Sequence, residues 1–341
     1  MYQLSDFHYD LPKELIAQYP SEKRDHSRLM VVNCKDQTLS EMPFREILTL
    51  LDSNDRLIFN NTKVIPARLF GHKETGAKVE VLLVRRRENG FYEAMAKPGK
   101  RLKENDQIIF GDDLAAVVEN TLDDGKKLLS FSYEGDFETV LQKYGSMPLP
   151  QYIQRAPGQE DHSRYQTVYA SKPGAIAAPT AGLHFTDELL EAAGKKGVDM
   201  RYVTLHVGLG TFMPVKVDDI RDHQMHKEFY QINEALPPVS GKEIVVGTTT
   251  CRALESAANE SGEVLPGTAE TDIFIYPGYR FKRVKSLLTN FHLPGSTLLM
   301  LVSALGGKEL ILEAYRKAVK DRYRFFSYGD AMLILNESIG G

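Results

Sequence analysis

Residues 77–97 read AKVEVLLVRRRENGFYEAMAK, two short apolar or alternating runs on either side of the turn signal Glu88-Asn89-Gly90. Three similar runs follow, separated by turns rich in Gly and Asp: Gln107–Phe110, Leu114–Asn120 and Lys127–Tyr133. Short strands at spacings of roughly ten residues are typical of small barrels and sandwiches. We therefore expect a small antiparallel β-barrel, with Pro98–Lys103 as a loop between two of its strands.

A different pattern flanks this segment on both sides, where strand candidates alternate with helical stretches. Such alternation predicts a mixed α/β sheet with flanking helices. The predicted strands are Arg28–Asn33, Asp55–Asn60, Arg201–His206, Glu243–Thr248, Thr271–Tyr276 and Ser286–Phe291. The predicted helices are Thr186–Ala193, which would stop near Gly194, Thr250–Asn259, Lys308–Lys320 and one that starts near Ser296.

At 341 residues the chain is long enough for two domains. We expect the barrel to be inserted into the α/β domain, so that the chain leaves that domain near Asn60 and returns near Pro150. The predicted domains are therefore a discontinuous α/β catalytic domain, residues 1–60 and 150–341, and a barrel domain, residues 61–149.

Composition and charge bound the class of protein. The longest apolar run, Ser296–Leu305, is shorter than the roughly 20 residues of a transmembrane helix. Residues 1–12 lack the basic and apolar regions of a signal peptide. The chain has two cysteines, Cys34 and Cys251, which provide neither a disulfide framework nor a set of metal ligands. We expect a reduced cytoplasmic enzyme.

The net charge of −4 argues against indiscriminate nucleic-acid binding. The charge is unevenly distributed, since residues 61–105 hold 11 Lys and Arg against 5 Glu, and a second basic cluster covers Arg280–Lys285. These clusters are either solvated faces or a surface that docks one specific nucleic acid.

A glycine-rich block covers residues 165–214, with YQTVYASKPGAIAAPTAGLHFTDELL followed after a short interval by LHVGLGTFMP. Glycine lets the backbone approach a ligand closely. Small residues next to histidines therefore predict a substrate pocket here. The residues concerned are Gly174, Thr180, Gly182, His184, His206, Gly208 and Gly210.

Three further motifs allow a functional and a structural interpretation. Residues 60–69, NNTKVIPARL, place polar side chains at the predicted domain junction, as a cleft or a polar linker would. Residues 243–253, EIVVGTTTCRA, predict the N-terminus of a helix, which either binds an anion or is simply capped. This segment has neither a GxGxxG pattern nor a P-loop pattern. His292, between Phe291 and Leu293, contacts substrate or is structural.

His223 and His226 would share one face of a helix and could serve a metal. A zinc site would need a further ligand such as His184, His206 or Glu228, and no HExxH pattern occurs. We expect no metal site, with a metallohydrolase kept as an alternative. A second alternative is a non-catalytic RNA-binding module whose barrel is an oligonucleotide-binding fold, but it leaves PTAGLHF and HVGLGTF unexplained.

Together these segments resemble the S-adenosylmethionine:tRNA ribosyltransferase-isomerase family of queuosine biosynthesis, nearly end to end. The block at 206–215 departs from the family pattern at Leu209 and Met213, where a small residue and Arg are often found. The similar blocks are LPKELIAQYPSEKRDHSRLMVV (11–32), NNTKVIPARLFG (60–71), KPGKRLK (97–103), YQTVYASKPGAIAAPTAGLHFTDELL (165–190), HVGLGTFMPV (206–215), MHKEFY (225–230), IFIYPGYRF (273–281) and LLTNFHLPGSTLLMLVSAL (287–305).

The resemblance implies transfer of the ribosyl moiety of S-adenosylmethionine to 7-aminomethyl-7-deazaguanine at the wobble position of a tRNA with a GUN anticodon. Adenine and methionine leave, and the ribosyl unit isomerises to give epoxyqueuosine-tRNA. S-adenosylmethionine is then a co-substrate, and no cofactor or metal is expected. The resemblance also implies the inserted barrel. We expect a monomer that does not contact membranes.

This chemistry needs a base for the protons next to the sulfonium and an acid for the leaving adenine. The catalytic candidates are His184 and His206, with base and acid not distinguished. Arg68 or Arg252 would hold the methionine carboxylate or a tRNA phosphate. The expected substrate-binding residues are Asn60, Thr62, Arg68, Thr180, Gly182, Gly208, Gly210, His226, Arg252 and His292. The expected tRNA-binding residues are Arg85, Arg86, Arg87, Lys100, Arg101 and Arg283.

Overall fold

The fold is taken from a computed structural model, which describes residues 2–87, 89–208, 215 and 217–336. Gly210, one of the expected substrate-binding residues, lies outside the described residues. Short 3-10 helices connect the regular elements. Those in the described residues are Leu4–Phe7, Lys13–Leu15, Arg24–His26, Phe44–Leu50, Gly99–Arg101, Thr180–His184 and Ile220–Asp222.

Strands and helices follow one another in three groups. The first contains β1 (Arg28–Asn33), β2 (Thr38–Pro43), β3 (Arg56–Asn60) and β4 (Thr62–Val64). The second contains β5 (Arg68–Lys73), β6 (Lys78–Arg86), β7 (Tyr92–Lys97), β8 (Gln107–Gly111), β9 (Leu114–Thr121), β10 (Lys127–Tyr133), α1 (Phe137–Tyr144) and β11 (Gly145–Ser146). The third contains α2 (Asp161–Arg164), β12 (Lys172–Ala175), α3 (Asp187–Lys195), β13 (Asp199–Leu205), β14 (Glu228–Ile232), β15 (Glu243–Val246), α4 (Thr248–Ala257), β16 (Gly267–Thr271), β17 (Ser286–Asn290), α5 (Thr297–Gly306), α6 (Lys308–Lys320) and β18 (Ala331–Leu335).

Apart from β4 and β12, which pair with each other, the strands of the first and third groups form a nine-stranded mixed sheet in the order β16-β14-β13-β3-β15-β17-β18-β1-β2. Strands β13, β3, β15 and β17 are parallel neighbours, so their carboxyl ends lie at the same edge of the sheet. Strand β3 lies between β13 and β15, which both follow it in the sequence. The order in which successive strands are added to the sheet therefore reverses at β3. Ligands of open α/β sheets bind at such an edge.

The central strands β3, β15 and β17 are buried on both faces of the sheet, which explains why they read as short apolar runs. In β3, Ile58 packs into the core covered by α4, α5 and α6, whereas Leu57 and Phe59 pack into the opposite core with α3. Helix α3 begins as expected, since the Thr186 hydroxyl accepts a hydrogen bond from the Leu189 N–H at 3.1 Å. No helix in the part of the chain that the structure describes is long and apolar enough to cross a membrane.

Strands β5 to β10 form a closed antiparallel barrel, as the turn spacing predicts. The strands pair antiparallel in the order β5-β6-β7-β10-β9-β8, and β5 also pairs with β8 through His72 and Ile109, which closes the sheet. Alternate residues of β6, Val79, Val81 and Leu83, fill the interior. Strand β11 returns along β5, where Ser146 lies opposite Arg68. The division into domains at residues 61 and 149 stays a prediction.

Two of the predicted strands have the wrong bounds. Residues 272–276 do not form a strand. The strand is Gly267–Thr271, and Ile275 beyond it is buried against the core without strand pairing. Helix α3 ends at Lys195, near Gly194 as predicted. Strand β15 stops at Val246, because Gly247 adopts a left-handed φ of 94° and Thr248 already begins α4. The expected loop at 98–103 contains a 3-10 turn.

Candidate active site

A cavity of about 630 Å³ lies between the barrel and the carboxyl edge of the nine-stranded sheet. The barrel contributes Arg68, Leu82 and Met95 to its wall, and the sheet edge contributes residues 247–249 and 289–296. Cavities of this size accommodate ligands as large as a nucleoside derivative. The cavity therefore occupies the position at which α/β sheets bind ligands, with a second wall supplied by the inserted barrel.

Two helices begin at this cavity. Gly247 and Ser296, which both line it, are the N-caps of α4 and α5. The Ser296 hydroxyl caps its own helix by accepting from the Leu299 N–H at 3.2 Å. The N-cap of α4 is a glycine and has no side chain for this, so the first N–H groups of α4 are directed toward ligands or water. An anionic group would be stabilised there.

Arg68 brings a positive charge to the barrel side of the cavity. Its Nη2 donates to the Leu149 carbonyl at 3.1 Å, and its Nη1 lies 3.6 Å from a Glu80 carboxylate oxygen. Its Nε is buried without a hydrogen-bond partner among the described residues. The guanidinium therefore retains a donor, next to the space where a ligand would lie.

His292 and Thr180, both expected to bind substrate, line the cavity. The His292 Nε2 lies 2.9 Å from the Thr289 hydroxyl, and its backbone N–H donates to the Tyr315 hydroxyl at 3.0 Å. Burial lowers the pKa of His292 to about 3. The side chain is thus a neutral imidazole held rigidly in the wall.

His184 lies behind the wall and does not line the cavity. Its Nδ1 is 2.7 Å from the Ser27 hydroxyl, and its Nε2 is 3.2 Å from Nδ2 of Asn290. Burial, and to a smaller extent the charges of Arg24 and Arg324, lower the pKa of His184 to about 3. Both ring nitrogens are occupied by the protein itself, an arrangement that does not suit a proton shuttle.

His206 follows β13 and is only partly buried. Its Nδ1 lies 2.8 Å from the hydroxyl of Thr62, which explains the polar residue at that position. Burial lowers the pKa of His206. Gly174, with φ of 142°, passes so close that an added Cβ would lie 2.9 Å from the ring. The next residue, Val207, lines the cavity, whereas His206 itself does not.

Four expected substrate-binding residues contact other parts of the protein, although Nη2 of Arg252 has no hydrogen-bond partner among the described residues. The Asn60 amide bonds to the Leu205 carbonyl at 2.9 Å and so ties β3 to β13. At Gly182 an added Cβ would overlap the Tyr169 hydroxyl. The Gly208 N–H donates to a Glu228 carboxylate oxygen at 3.0 Å. Arg252 is buried and forms an ion pair with the other oxygen of the same carboxylate.

His226 is exposed, and the expectation that it shares a helical face with His223 is wrong. The 3-10 helix ends at Asp222, and residues 223–227 are not helical. In the described ranges, no group of three or more His, Cys, Asp or Glu side chains is placed to hold a metal ion.

The expected tRNA-binding residues fall into two sets. Arg85 and Arg86 lie at the exposed end of β6, and Lys100 and Arg101 lie in the exposed 3-10 turn of the barrel. Arg85 pairs with Glu270 at 2.9 Å and Arg87 with Glu93 at 2.9 Å, both at the surface. Arg283 is different, because its side chain is 7% exposed and two of its nitrogens each lie 2.6 Å from a Glu243 oxygen.

Sequence reasoning did not select several residues of the cavity wall. Thr289 and Asn290 stand in the conspicuous stretch TNFHLPGST, from which only His292 was selected. Tyr152 and Phe326 carried no signal at all. Their rings stack with centroids 4.5 Å apart, and Phe326 adopts an unusual positive φ of 70°. Such backbone conformations in a cavity wall are often associated with function.

The fold and the cavity thus define an α/β protein with an inserted barrel and a ligand site at their junction. A family model described as queuosine biosynthesis protein matches residues 4–334, and the chain belongs to this family. Relatives named S-adenosylmethionine:tRNA ribosyltransferase-isomerase are 53% identical in Acetivibrio thermocellus, over 97% of this chain and 99% of the relative, and 52% identical in Clostridioides difficile, over 96% and 98%. A crystal structure of S-adenosylmethionine tRNA ribosyltransferase from Thermotoga maritima is 40% identical, with a TM-score of 0.52 over 97% of this chain and 100% of that one.

Proposed function

We propose that this chain is an S-adenosylmethionine:tRNA ribosyltransferase-isomerase. It transfers and isomerises the ribosyl moiety of S-adenosylmethionine onto 7-aminomethyl-7-deazaguanine at the wobble position of a GUN tRNA. The products are epoxyqueuosine-tRNA, adenine and methionine. The observation that carries the proposal is the match to relatives of that name over nearly the full length of both chains. The enzyme acts in the cytoplasm as a monomer without a metal or other cofactor.

The cavity between barrel and sheet is the site of the reaction. Arg68 and the N–H groups that open α4 hold the methionine carboxylate, since both carry positive charge at the cavity wall. Arg252 is assigned a different role from the one expected, because its charge is neutralised by the buried carboxylate of Glu228. It fixes the segment of Gly208, whose N–H binds the same carboxylate.

His206 is retained as the candidate proton shuttle and His184 is not. His206 is partly exposed and precedes Val207 of the cavity wall, and Thr62 holds only its Nδ1, which orients the ring. In contrast, His184 uses both nitrogens inside the protein. His292 remains a substrate-binding residue, as a neutral imidazole in the cavity wall. Thr180 contributes to the same wall, and Asn60 and Gly182 maintain the fold around it.

The tRNA binds along the basic surface of the barrel, through Arg85, Arg86, Arg87, Lys100 and Arg101. Backbone phosphates position the anticodon arm on this surface, while the modified base enters the cavity to react. The exposed ion pairs of Arg85 and Arg87 contribute little to stability and can exchange for phosphate. Arg283 is assigned to the fold, since Glu243 holds it on two sides.

The direct test uses the full chain with S-adenosylmethionine and tRNA that carries the 7-aminomethyl-7-deazaguanine precursor. We expect adenine release and an epoxyqueuosine nucleoside after digestion, with unmodified tRNA of the same sequence as the control. The alternative of a non-catalytic RNA-binding module predicts tRNA binding without adenine release, and that outcome would reject the proposal.

A further inference from the structure

Asn290 is the last residue of β17 and contributes to the cavity wall at the carboxyl edge of the sheet. Its side chain is almost completely buried, with 2% of the residue exposed. A carboxamide in such a place must have its polar atoms satisfied, because a buried unpaired donor or acceptor is costly.

Both hydrogens of the Asn290 amide nitrogen are used. Nδ2 donates to the Phe326 carbonyl at 3.0 Å and faces His184 Nε2 at 3.2 Å. A carbonyl oxygen can only accept, so the amide nitrogen must face Phe326 and the opposite flip of the carboxamide is excluded. His184 Nε2 is then an acceptor, and its Nδ1 carries the proton and donates to the Ser27 hydroxyl at 2.7 Å.

The carboxamide oxygen is the remaining polar atom of the side chain. Oδ1 of Asn290 is buried and has no hydrogen-bond partner among the described residues. The orientation of this unused acceptor is set by the chain of hydrogen bonds from Ser27 through His184. Phe326, whose carbonyl anchors the amide, lines the same cavity with Tyr152 stacked on it. Flat aromatic side chains next to a fixed acceptor suit a planar heterocycle that carries an amino group.

We propose that Oδ1 of Asn290 accepts a hydrogen bond from the amino group of a purine-type ring in the cavity, and that His184 and Ser27 are positioning residues that hold the carboxamide for it. The inference rests on the proposed function, which supplies two such rings. One is the adenine of S-adenosylmethionine, and the other is the modified guanine of the tRNA.

The first test measures KM for each substrate separately in Asn290→Ala, together with inhibition by adenine and by purine, which lacks the amino group. If the adenine ring is the donor, KM for S-adenosylmethionine rises about tenfold and the preference for adenine over purine disappears. If the modified guanine is the donor, KM for tRNA rises by a similar factor and the preference remains. Either result supports the inference. Unchanged KM values together with an unchanged preference would overturn it.

The second test separates positioning from proton transfer at His184. His184→Gln keeps an acceptor for Asn290 and a donor for Ser27, so we expect KM and the pH profile of kcat to stay close to wild type. His184→Phe removes the acceptor and should reproduce the KM increase of Asn290→Ala. A large fall in kcat and the loss of one limb of the pH profile in His184→Gln would overturn the positioning role.

The matched control is Ser303→Ala in α5. The Ser303 hydroxyl is another buried oxygen without a partner among the described residues, but it does not line the cavity. We expect its removal to leave both KM values unchanged, which shows that loss of a buried oxygen is not itself the cause. Wild-type enzyme without turnover would refute the proposed function, whereas active wild type with an equally effective Asn290→Ala would refute only this inference.

Discussion

At the scale of single residues, two histidines stand out because the protein surrounds them almost completely. His184 and His292 are 4% and 8% exposed, and burial lowers the pKa of each to about 3. Both are therefore neutral in the folded protein at any pH near 7. In the unfolded chain they titrate near the ordinary value of ~6.5.

This difference predicts an acid-sensitive fold. Below pH ~6.5 the unfolded chain binds protons that the folded state does not, so stability falls as pH falls toward 3. Between pH 7 and pH 5 each histidine costs about 2 kcal/mol of unfolding free energy. In His184→Gln or His292→Gln the pH 7 to pH 5 difference, measured by urea unfolding, should shrink by up to that amount. An unchanged difference would contradict the buried neutral state.

The sequence predicted this part of the site only in outline. PTAGLHFT and TNFHLPGST are conspicuous as short peptides, and both contribute to the cavity wall. Which residue of each contacts the cavity depends on how the side chains are rotated in the fold. His184 points away toward Ser27, and Asn290 stands between it and the ligand site. Spacing along the chain does not contain that information.

At the scale of elements, similar basic side chains have different surroundings. Arg85 stands at the exposed end of β6 with its side chain 62% exposed, and Arg86 and Arg87 follow it. Arg283 precedes β17 and is enclosed between Glu243 and the carbonyls of Gly262 and Pro237. The first group is available to a polyanion, and Arg283 is committed to the fold.

The salt dependence of tRNA binding should distinguish Arg85, Arg86 and Arg87 from Arg283. Replacement of Arg85, Arg86 and Arg87 by Gln should weaken tRNA binding and reduce the slope of log affinity against log salt by about 2, since each phosphate contact contributes roughly 0.7. Binding is measured by fluorescence anisotropy across a salt series. In Arg283→Gln we expect an unchanged slope and a loss of stability of about 1.5–3 kcal/mol, because Glu243 loses charged hydrogen bonds but keeps its ion pair with Arg56. Equal slopes in all three proteins would place the tRNA elsewhere.

Secondary-structure elements were easier to predict from the sequence than side-chain contacts. Turn signals and alternation located five barrel strands, β6 to β10, to within about two residues. Strand β5, Arg68–Lys73, was missed because polar and apolar residues do not alternate in it: Phe70 is exposed, and Lys73 shares a face with the buried Leu69. The apolar residues 273–276 resemble a strand but pack against the core without strand pairing. A hydrophobic pattern in the sequence indicates that residues are buried. It indicates strand pairing only where a neighbouring strand is present.

At the scale of the whole molecule, the cavity is assembled from segments that are far apart in sequence. The barrel supplies Arg68, Leu82 and Met95, and the sheet edge supplies residues 247–249 and 289–296. Neither part encloses the space alone. Because the two walls come from segments far apart in sequence, residues 60–69 indicated a cleft or a polar linker at the domain junction, but the sequence did not indicate which residues form the opposite wall of the cleft.

The barrel wall should therefore influence the co-substrate directly. Met95 lines the cavity and is 38% exposed, so Met95→Trp would narrow the space at little cost to folding. We expect about tenfold weaker binding of S-adenosylmethionine by calorimetry, which corresponds to ~1.4 kcal/mol. Leu265→Trp, at a residue 63% exposed and away from the cavity, is the matched control and should bind as wild type does. Equal affinities in the two variants would argue that the co-substrate binds elsewhere.

The central claim is that this enzyme moves the sugar of S-adenosylmethionine and not its methyl group. The most direct measurement follows two isotopes with precursor tRNA, one label in the ribose carbons and one in the methyl carbon, by mass spectrometry of the digested nucleosides. The account predicts that the ribose label appears in the modified nucleoside while the methyl label leaves with methionine. A methyl label on the nucleobase, with no ribose label, would contradict it.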